Sequence, residues 1–262
     1  ATSGPVRDVK WYRQLGGTPL VADTGCYLSS SLPYELKTDV SLDEYIFRTD
    51  KHNVKGLWEW ENGTVRVIEL PSKFHEIYVG TIMKFLGASV LPVCFYYSPS
   101  LTNSNKKGCE ADGSIIPVGK PQVSHGGSDG GVRRNEPWPN LVIEVAYAVT
   151  EAELKRKIET YWLAPNRAHD AMGIKLNYTP GVRPTIIDNS PAIGAFAPIM
   201  YEFGTVDRQD NPINIAPGQC VINIPLRCLY DGMPPTFMIP SPPLPDPIPL
   251  DLFHVRWAVL NR

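Results

Sequence analysis

The chain has no run of roughly 20 apolar residues, so nothing in the sequence reads as a membrane-crossing helix. Its five cysteines (Cys26, Cys94, Cys109, Cys220, Cys228) are odd in number, scattered, and never spaced as Cys-x-x-Cys. That argues against a disulfide framework and against a zinc cage. A surplus of positive charge is also missing: 25 Lys plus Arg face 27 Asp plus Glu, a formal net charge of -2. A protein that coats nucleic acid neutralises many phosphates and is usually basic, so this balance disfavours that class. An enzyme that touches nucleic acid through a local cleft needs no such surplus. The opening residues, Ala1 to Arg7, form no hydrophobic signal region, and the expected location is intracellular, cytoplasmic or nuclear. There is no His-Glu-x-x-His pair. The glycines between His125 and Gly131 fit neither the Walker spacing nor the dinucleotide fingerprint.

What is present suffices for a packed core. Hydrophobic residues make up 43% and charged residues 20% of 262 positions, which suits one mixed domain with appendages and argues against global disorder. Residues 1–40 mix Gly, Pro and Ser with short apolar pieces and read as an irregular N-terminal arm. Ser41 and Glu44 have capping-box spacing and predict a short helix to about Arg48. Asn62-Gly63 between Gly56–Glu61 and Thr64–Leu70 predicts a hairpin, because both turn residues must take positive φ. After Pro71 and Ser72, the stripe Phe74, Ile77, Tyr78, Thr81, Ile82, Phe85 and Leu86 predicts an amphipathic helix. Leu91–Tyr97 reads as a strand, Ser98–Glu110 as a polar loop, Asp112–Pro117 as a short strand, and 119–139 as a flexible loop holding Arg133 and Arg134.

Leu141–Val149 is apolar on both faces except for Glu144, the pattern of a central, doubly covered strand. Alternation sets Leu141, Ile143, Val145 and Tyr147 on one face, and Val142, Glu144, Ala146 and Ala148 on the other. A carboxylate there loses much of its water, and leaving it unpaired costs several kcal/mol or forces it to hold a proton. Either a cation or catalysis compensates it, or it forms a buried pair with a Lys or Arg that joins two layers. Thr150 is expected to cap a helix running to about Leu163. With Leu154, Ile158, Tyr161 and Trp162 as its buried stripe, Lys157 falls just beside that stripe and Lys155 beyond its other edge. Gly173–Tyr178 is the next strand, so strand, helix and strand suit a crossover unit, and the class is α/β or α+β with a mixed sheet. The Pro-rich remainder, 182–262, holds β-like runs at Ala197–Phe203 and Cys220–Leu226 and a final helix over Leu250–Leu260. Its prolines from Pro240 to Pro249 impose extended chain, which either docks a partner or lies across its own domain and leads Leu252, Val255, Ala258 and Val259 onto the core.

These features fall in a particular order. Ser41-Leu42-Asp43-Glu44-Tyr45, the hairpin from Trp58 to Gly63, and Pro71-Ser72-Lys73-Phe74-His75 with its helix are followed by Asp112, Pro139 to Val145, and Lys157 to Tyr161. The order resembles the PD-(D/E)XK nuclease superfamily, in a restriction-endonuclease-like branch with divergent eukaryotic relatives, over residues 41 to 178. The resemblance implies a restriction-endonuclease-like core at 41–180, a mixed central sheet flanked by helices, between the N-terminal arm and a β-rich, Pro-rich extension at 181–262 packed on the core. It implies that Asp112 and Glu144 bind Mg²⁺ or Mn²⁺, that Glu59 is an additional acid, and that Lys157 is the family lysine migrated from the strand to the following helix. The usual lysine position, two residues after Glu144, is Ala146 here, and Ala111 precedes Asp112 where the pattern has Pro. His75 matches the family histidine at the start of the long helix and, with Arg133 and Arg134, is expected on the substrate side. The implied activity is metal-dependent hydrolysis of nucleic-acid phosphodiesters, with DNA ahead of RNA as partner, no membrane, and a homodimer or larger assembly as a possible working state. The alternative keeps the fold and drops the chemistry, as a catalytically degenerate module serving as scaffold or binding subunit.

Overall fold

Asn62 and Gly63 take φ of 49° and 84°, the paired positive values of a tight hairpin turn, and join β2 (Trp58–Glu61) to β3 (Thr64–Val67). The structure is a computed structural model that describes residues 32–52, 57–69, 73–89, 93–96, 100–103, 107–121, 137–147, 149–165, 167–177, 185–186, 203, 211–238 and 245–261. The glycine-rich loop with Arg133 and Arg134, most of the Ala197–Phe203 run, residues 1–31 and the prolines from Pro240 to Pro243 lie outside them.

The hairpin sits in an antiparallel sheet of order β1-β3-β2-β6-β5, with β1 (Tyr34–Lys37), β5 (Ser100–Asn103) and β6 (Lys107–Glu110) as its other strands. Two stretches differ from expectation. The end of the irregular arm contains an edge strand, and the polar loop contains a strand pair. Both stretches were read without a pairing partner, and a four-residue strand gains its stability from the sheet rather than from its own pattern. Helix α1 (Leu42–His52) covers one face of this sheet, where Trp58, Trp60, Val65 and Val67 pack with Val40 and Tyr45. The Ser41 hydroxyl accepts the Glu44 amide at 3.1 Å at the start of α1, which runs on past Arg48 to His52. Alternation in β2 turns Glu59 and Glu61 to the opposite face.

The second sheet is mixed, in the order β10-β9-β8-β7-β4. Strands β4 (Val93–Tyr96), β7 (Gly113–Pro117) and β8 (Leu141–Ala146) pair antiparallel, whereas β9 (Asp170–Asn177) runs parallel to β8; β10 (Thr185–Ile186) closes the edge. The parallel step is made by α3 (Glu151–Lys157) and one further turn, Ile158–Trp162, wound as a π-helix. Thr150 and Glu153 complete the capping box at its start.

Both faces of this sheet are covered. On one, Leu141, Ile143 and Val145 join Met172, Ile174 and Leu176 under α2 (Lys73–Ser89) and the C-terminal α5 (Leu252–Leu260). On the other, Val142 and Ala146 meet Leu154, Ile158, Tyr161 and Trp162. The mixed sheet with helices on both faces is the expected fold class. The inner face of α2 is rotated from the predicted stripe: His75, Tyr78, Val79, Ile82, Met83 and Leu86 are buried and Phe85 is 38% exposed. The 181–262 segment contributes β11 (Val221–Ile224), α4 (Leu226–Leu229), β12 (Ile248–Asp251) and α5, whose buried side chains belong to the same core as α2. Among the described residues no helix is long and apolar enough to cross a membrane.

Candidate active site

The two sheets share a corner. Strand β6 ends at Glu110, Ala111 and Asp112 make the turn, and β7 begins at Gly113 in the other sheet. Because β7 pairs with β8 only through Leu141, Val142 and Ile143, the upper part of β8 loses that neighbour. Its amides would be orphaned, which buried backbone rarely tolerates. Two carboxylates replace the missing strand: Asp112 Oδ2 accepts the Val145 amide at 2.7 Å, and Glu69 Oε2 accepts the Tyr147 amide at 2.7 Å. The wedge between the diverging strands opens into a cavity of about 160 Å³. Glu59, Glu61, Arg66 and Lys107 line it from the first sheet, Asp112, Glu144, Val145 and Ala146 from the corner and β8, and Glu153, Leu154, Arg156 and Lys157 from α3. At about 15 Å³ for each water it has room for roughly ten.

Glu144 projects from β8 into this wedge and is 5% exposed. Its Oε2 accepts from Lys157 Nζ at 3.1 Å and its Oε1 from the Trp162 indole at 2.6 Å. The two donors are five residues apart, the spacing that a π turn, and not an α turn, brings to one face. The π turn has room because Gly173, opposite Glu144 in the β8–β9 register, has no side chain: a Cβ there would lie 2.4 Å from Ile158 Cδ1. Lys157 also reaches Glu59 Oε1 at 3.2 Å, and Lys107 meets Glu59 Oε2 at 3.4 Å. One ammonium thus bridges acids carried on two different sheets.

The charges are unequally satisfied. Burial alone would raise the Glu59 carboxyl, but the ammonium groups of Lys157 and Lys107 outweigh it and hold the group below the ordinary carboxylate range. Glu144 shares only Lys157. Burial pushes its carboxyl up to about 8, Lys157 opposes this, and the neighbouring Asp112 adds to it. Burial works against the Lys157 ammonium, yet Glu144 and Glu59 overcome that and keep it charged well beyond the usual range. Behind the corner, His75 Nε2 lies 3.1 Å from Asp112 Oδ1. Burial would lower the imidazole, but Asp112 dominates and raises it to about 11, so His75 is a cation near neutrality.

Of the residues singled out in the sequence, Asp112, Glu144, Lys157 and Glu59 come together at one cavity. His75, expected on the substrate side, is 4% exposed, sits behind Asp112 and does not line the cavity. Arg133 and Arg134 are outside the described residues. Sequence reasoning missed Lys107, Glu69 and Trp162. Lys107 was hidden in the presumed loop. Trp162 was read as core filling, although its N–H demanded an acceptor once buried. Glu69, near the end of the hairpin strand, gave no signal of its own.

No protein-family model and no curated protein sequence matches this chain. Among solved structures, a candidate nuclease of DUF820 from Anabaena variabilis is similar at 15% identity, covering 58% of this chain and 87% of that one, with a TM-score of 0.37. A superposition that loose assigns neither fold nor function.

Proposed function

We propose that the wedge is the active centre of a metal-dependent nuclease that hydrolyses nucleic-acid phosphodiesters. The observation that carries this reading is the meeting of Asp112, Glu144, Glu59 and Lys157 at one cavity, with Glu144 left short of positive charge. The donor set fits Mg²⁺ or Mn²⁺. Asp112 and Glu144 offer hard carboxylate oxygens, and a divalent ion would supply the charge that Lys157 cannot share out in full. When bound, the ion supplies Lewis-acid polarisation and activation of a water for attack at phosphorus. The chain's own groups do the rest. Lys157, held between Glu144 and Glu59, brings a fixed positive charge to where negative charge develops in the transition state. The Val145 amide and His75 hold Asp112 in place, and Trp162 orients Glu144. Arg66 and Arg156, which line the same cavity, are suited to gripping phosphate oxygens. A PD-(D/E)XK core accounts for the Glu on the central strand, the Asp at the preceding strand start and the lysine on the crossover helix.

The test is cleavage of DNA and of RNA with Mg²⁺ or Mn²⁺, comparing wild type with Asp112→Asn and Glu144→Gln. The reading requires metal-dependent product from wild type and none from either variant. Equal cleavage by the variants overturns it.

One observation favours the second reading, a nuclease-fold module without catalysis. Both oxygens of Asp112 and of Glu144 already have protein partners. Among the described residues, the wedge acids also gather no group of three metal-ligand side chains. In that case the acids are struts joining two sheets, and neither metal heat nor cleavage appears.

A further inference from the structure

Away from the wedge, where β9 begins, His169 and Asp170 meet Cys228 of the C-terminal α4. The His169 Nδ1, one Asp170 carboxylate oxygen and the Cys228 Sγ all lie within 4.8 Å of one another. We propose that these three side chains form a binding site for Zn²⁺ that fastens the C-terminal segment to the central sheet. The inference does not depend on the nuclease reading.

Several observations converge on it. Asp170 is 1% exposed and its Oδ1 has no hydrogen-bond partner, an orphan acceptor in a place that water barely reaches. Its other oxygen faces His169 Nδ1 at 3.1 Å, a pair of lone-pair-bearing atoms that needs a proton or a cation between them. Cys228, 6% exposed, completes a nitrogen, oxygen and sulfur set, which suits a borderline-soft ion and not Mg²⁺. Tetrahedral zinc with ligand bonds of about 2.0–2.3 Å separates its ligands by roughly 3.3–3.5 Å. The cluster therefore closes by a small movement. His169 is 36% exposed, so water can take the fourth position.

Hydrogen bonds tie together the two segments that carry the ligands. The Asp170 amide donates to the Asn140 carbonyl at 2.8 Å, while Asn140 Nδ2 donates to the carbonyls of Leu229 at 2.8 Å and Asp231 at 2.9 Å. One asparagine thus fixes both ligand-bearing segments. Without metal, burial first and then Asp170 push the Cys228 thiol up to about 11, with Arg227 opposing. A divalent ion neutralises Asp170 and favours the thiolate, so binding releases a proton. Cysteine spacing in the sequence argues against a zinc cage, and this site lies outside the reach of that argument because its ligands come from distant segments.

The test uses the full chain, stripped with chelator and titrated with Co²⁺ as a spectroscopic probe, then with Zn²⁺. The expected result is a thiolate-to-cobalt charge-transfer band that saturates at a single equivalent and is erased by Zn²⁺. Cys228→Ser abolishes the band, and Cys220→Ser leaves it intact. His169→Gln, at a part-exposed position that leaves the fold alone, weakens Co²⁺ binding by roughly tenfold or more. No saturable band, a band that survives Cys228→Ser, or unchanged affinity in His169→Gln overturns the proposal.

Discussion

Asp112 Oδ2 accepts the backbone amide of Val145 at 2.7 Å, so the acid at the sheet corner is fastened to the residue that follows Glu144. The bond fills a gap left by a strand that has turned away, and it sets the two acids at one cavity from different strands. Asp112→Asn leaves one acceptor oxygen but removes the charge and loosens the His75 pair. A variant that removes the acceptor altogether, Asp112→Ala, orphans the Val145 amide and takes from the buried His75 cation its nearest counter-charge, with Glu76 still 3.6 Å away. A loss of about 3–5 kcal/mol in denaturant unfolding is expected for it, and a smaller one for Asp112→Asn.

Lys157 holds Glu144 and Glu59 at once. Lys157→Met keeps most of the stem and strips the charge from a buried cluster, so it should destabilise by about 3–5 kcal/mol. Adding Glu144→Gln to that background should recover part of the loss, because the buried carboxyl left without its ammonium partner goes with it. A double-mutant cycle by chemical denaturation checks this; strict additivity would deny the coupling.

The pH profile follows from two raised groups. Glu144 has a folded pKa of about 8 against an ordinary value of 4.5. Its contribution to stability is complete below the unfolded value and is lost as pH rises toward 8. His75, raised from 6.5 to about 11, acts in the same direction at higher pH: its contribution is complete below 6.5 and disappears as pH climbs through 11. Glu59, lowered, acts the other way and loses its contribution as pH falls through its folded value. In metal-free buffer, stability should therefore decline from about pH 5 upward, and Glu144→Gln should flatten the curve between about pH 5 and 6.5, below the range where His75 acts. A wild-type profile that is level over this window, or a variant profile that keeps the slope, contradicts the raised Glu144.

Gly173 gives space to the π turn. Gly173→Ala drives a methyl to 2.4 Å from Ile158 Cδ1 and should cost about 1–3 kcal/mol while lifting Trp162 from Glu144. Pairing it with Ile158→Val, which removes that terminal methyl, should restore much of the loss. Thermal melts of the single and double variants read the effect, and equal melts for both would point away from this contact.

Much of this was legible in the sequence, for identifiable reasons. The hairpin was readable because Asn62-Gly63 is a strong local instruction. The central strand and its stranded Glu144 were readable because an ionisable group breaks an apolar run. Helical period set Lys157 beside the buried stripe with Lys155 beyond its other edge, and the family resemblance chose between them. What stayed hidden depends on pairing across distance. Lys107–Glu110 is a strand because β2 is beside it, and Ser100–Asn103 because it pairs with Lys107–Glu110 in turn. The α2 stripe is rotated because Phe85 counts as apolar in the sequence, whereas the buried line runs from His75 through Tyr78, Val79, Ile82 and Met83. Centring that line on His75 would have turned the imidazole toward the corner. The π turn has no local signature, and without it Trp162 cannot be seen as a partner of Glu144.

The central claim is that Asp112 and Glu144 hold a divalent ion in the wedge, and calorimetric titration with Mg²⁺ tests it most directly. Wild type should give a saturable heat that Glu144→Gln and Asp112→Asn each remove while remaining folded by circular dichroism. No heat from wild type, or the same heat from both variants, would contradict the claim and leave the acids as struts between two sheets.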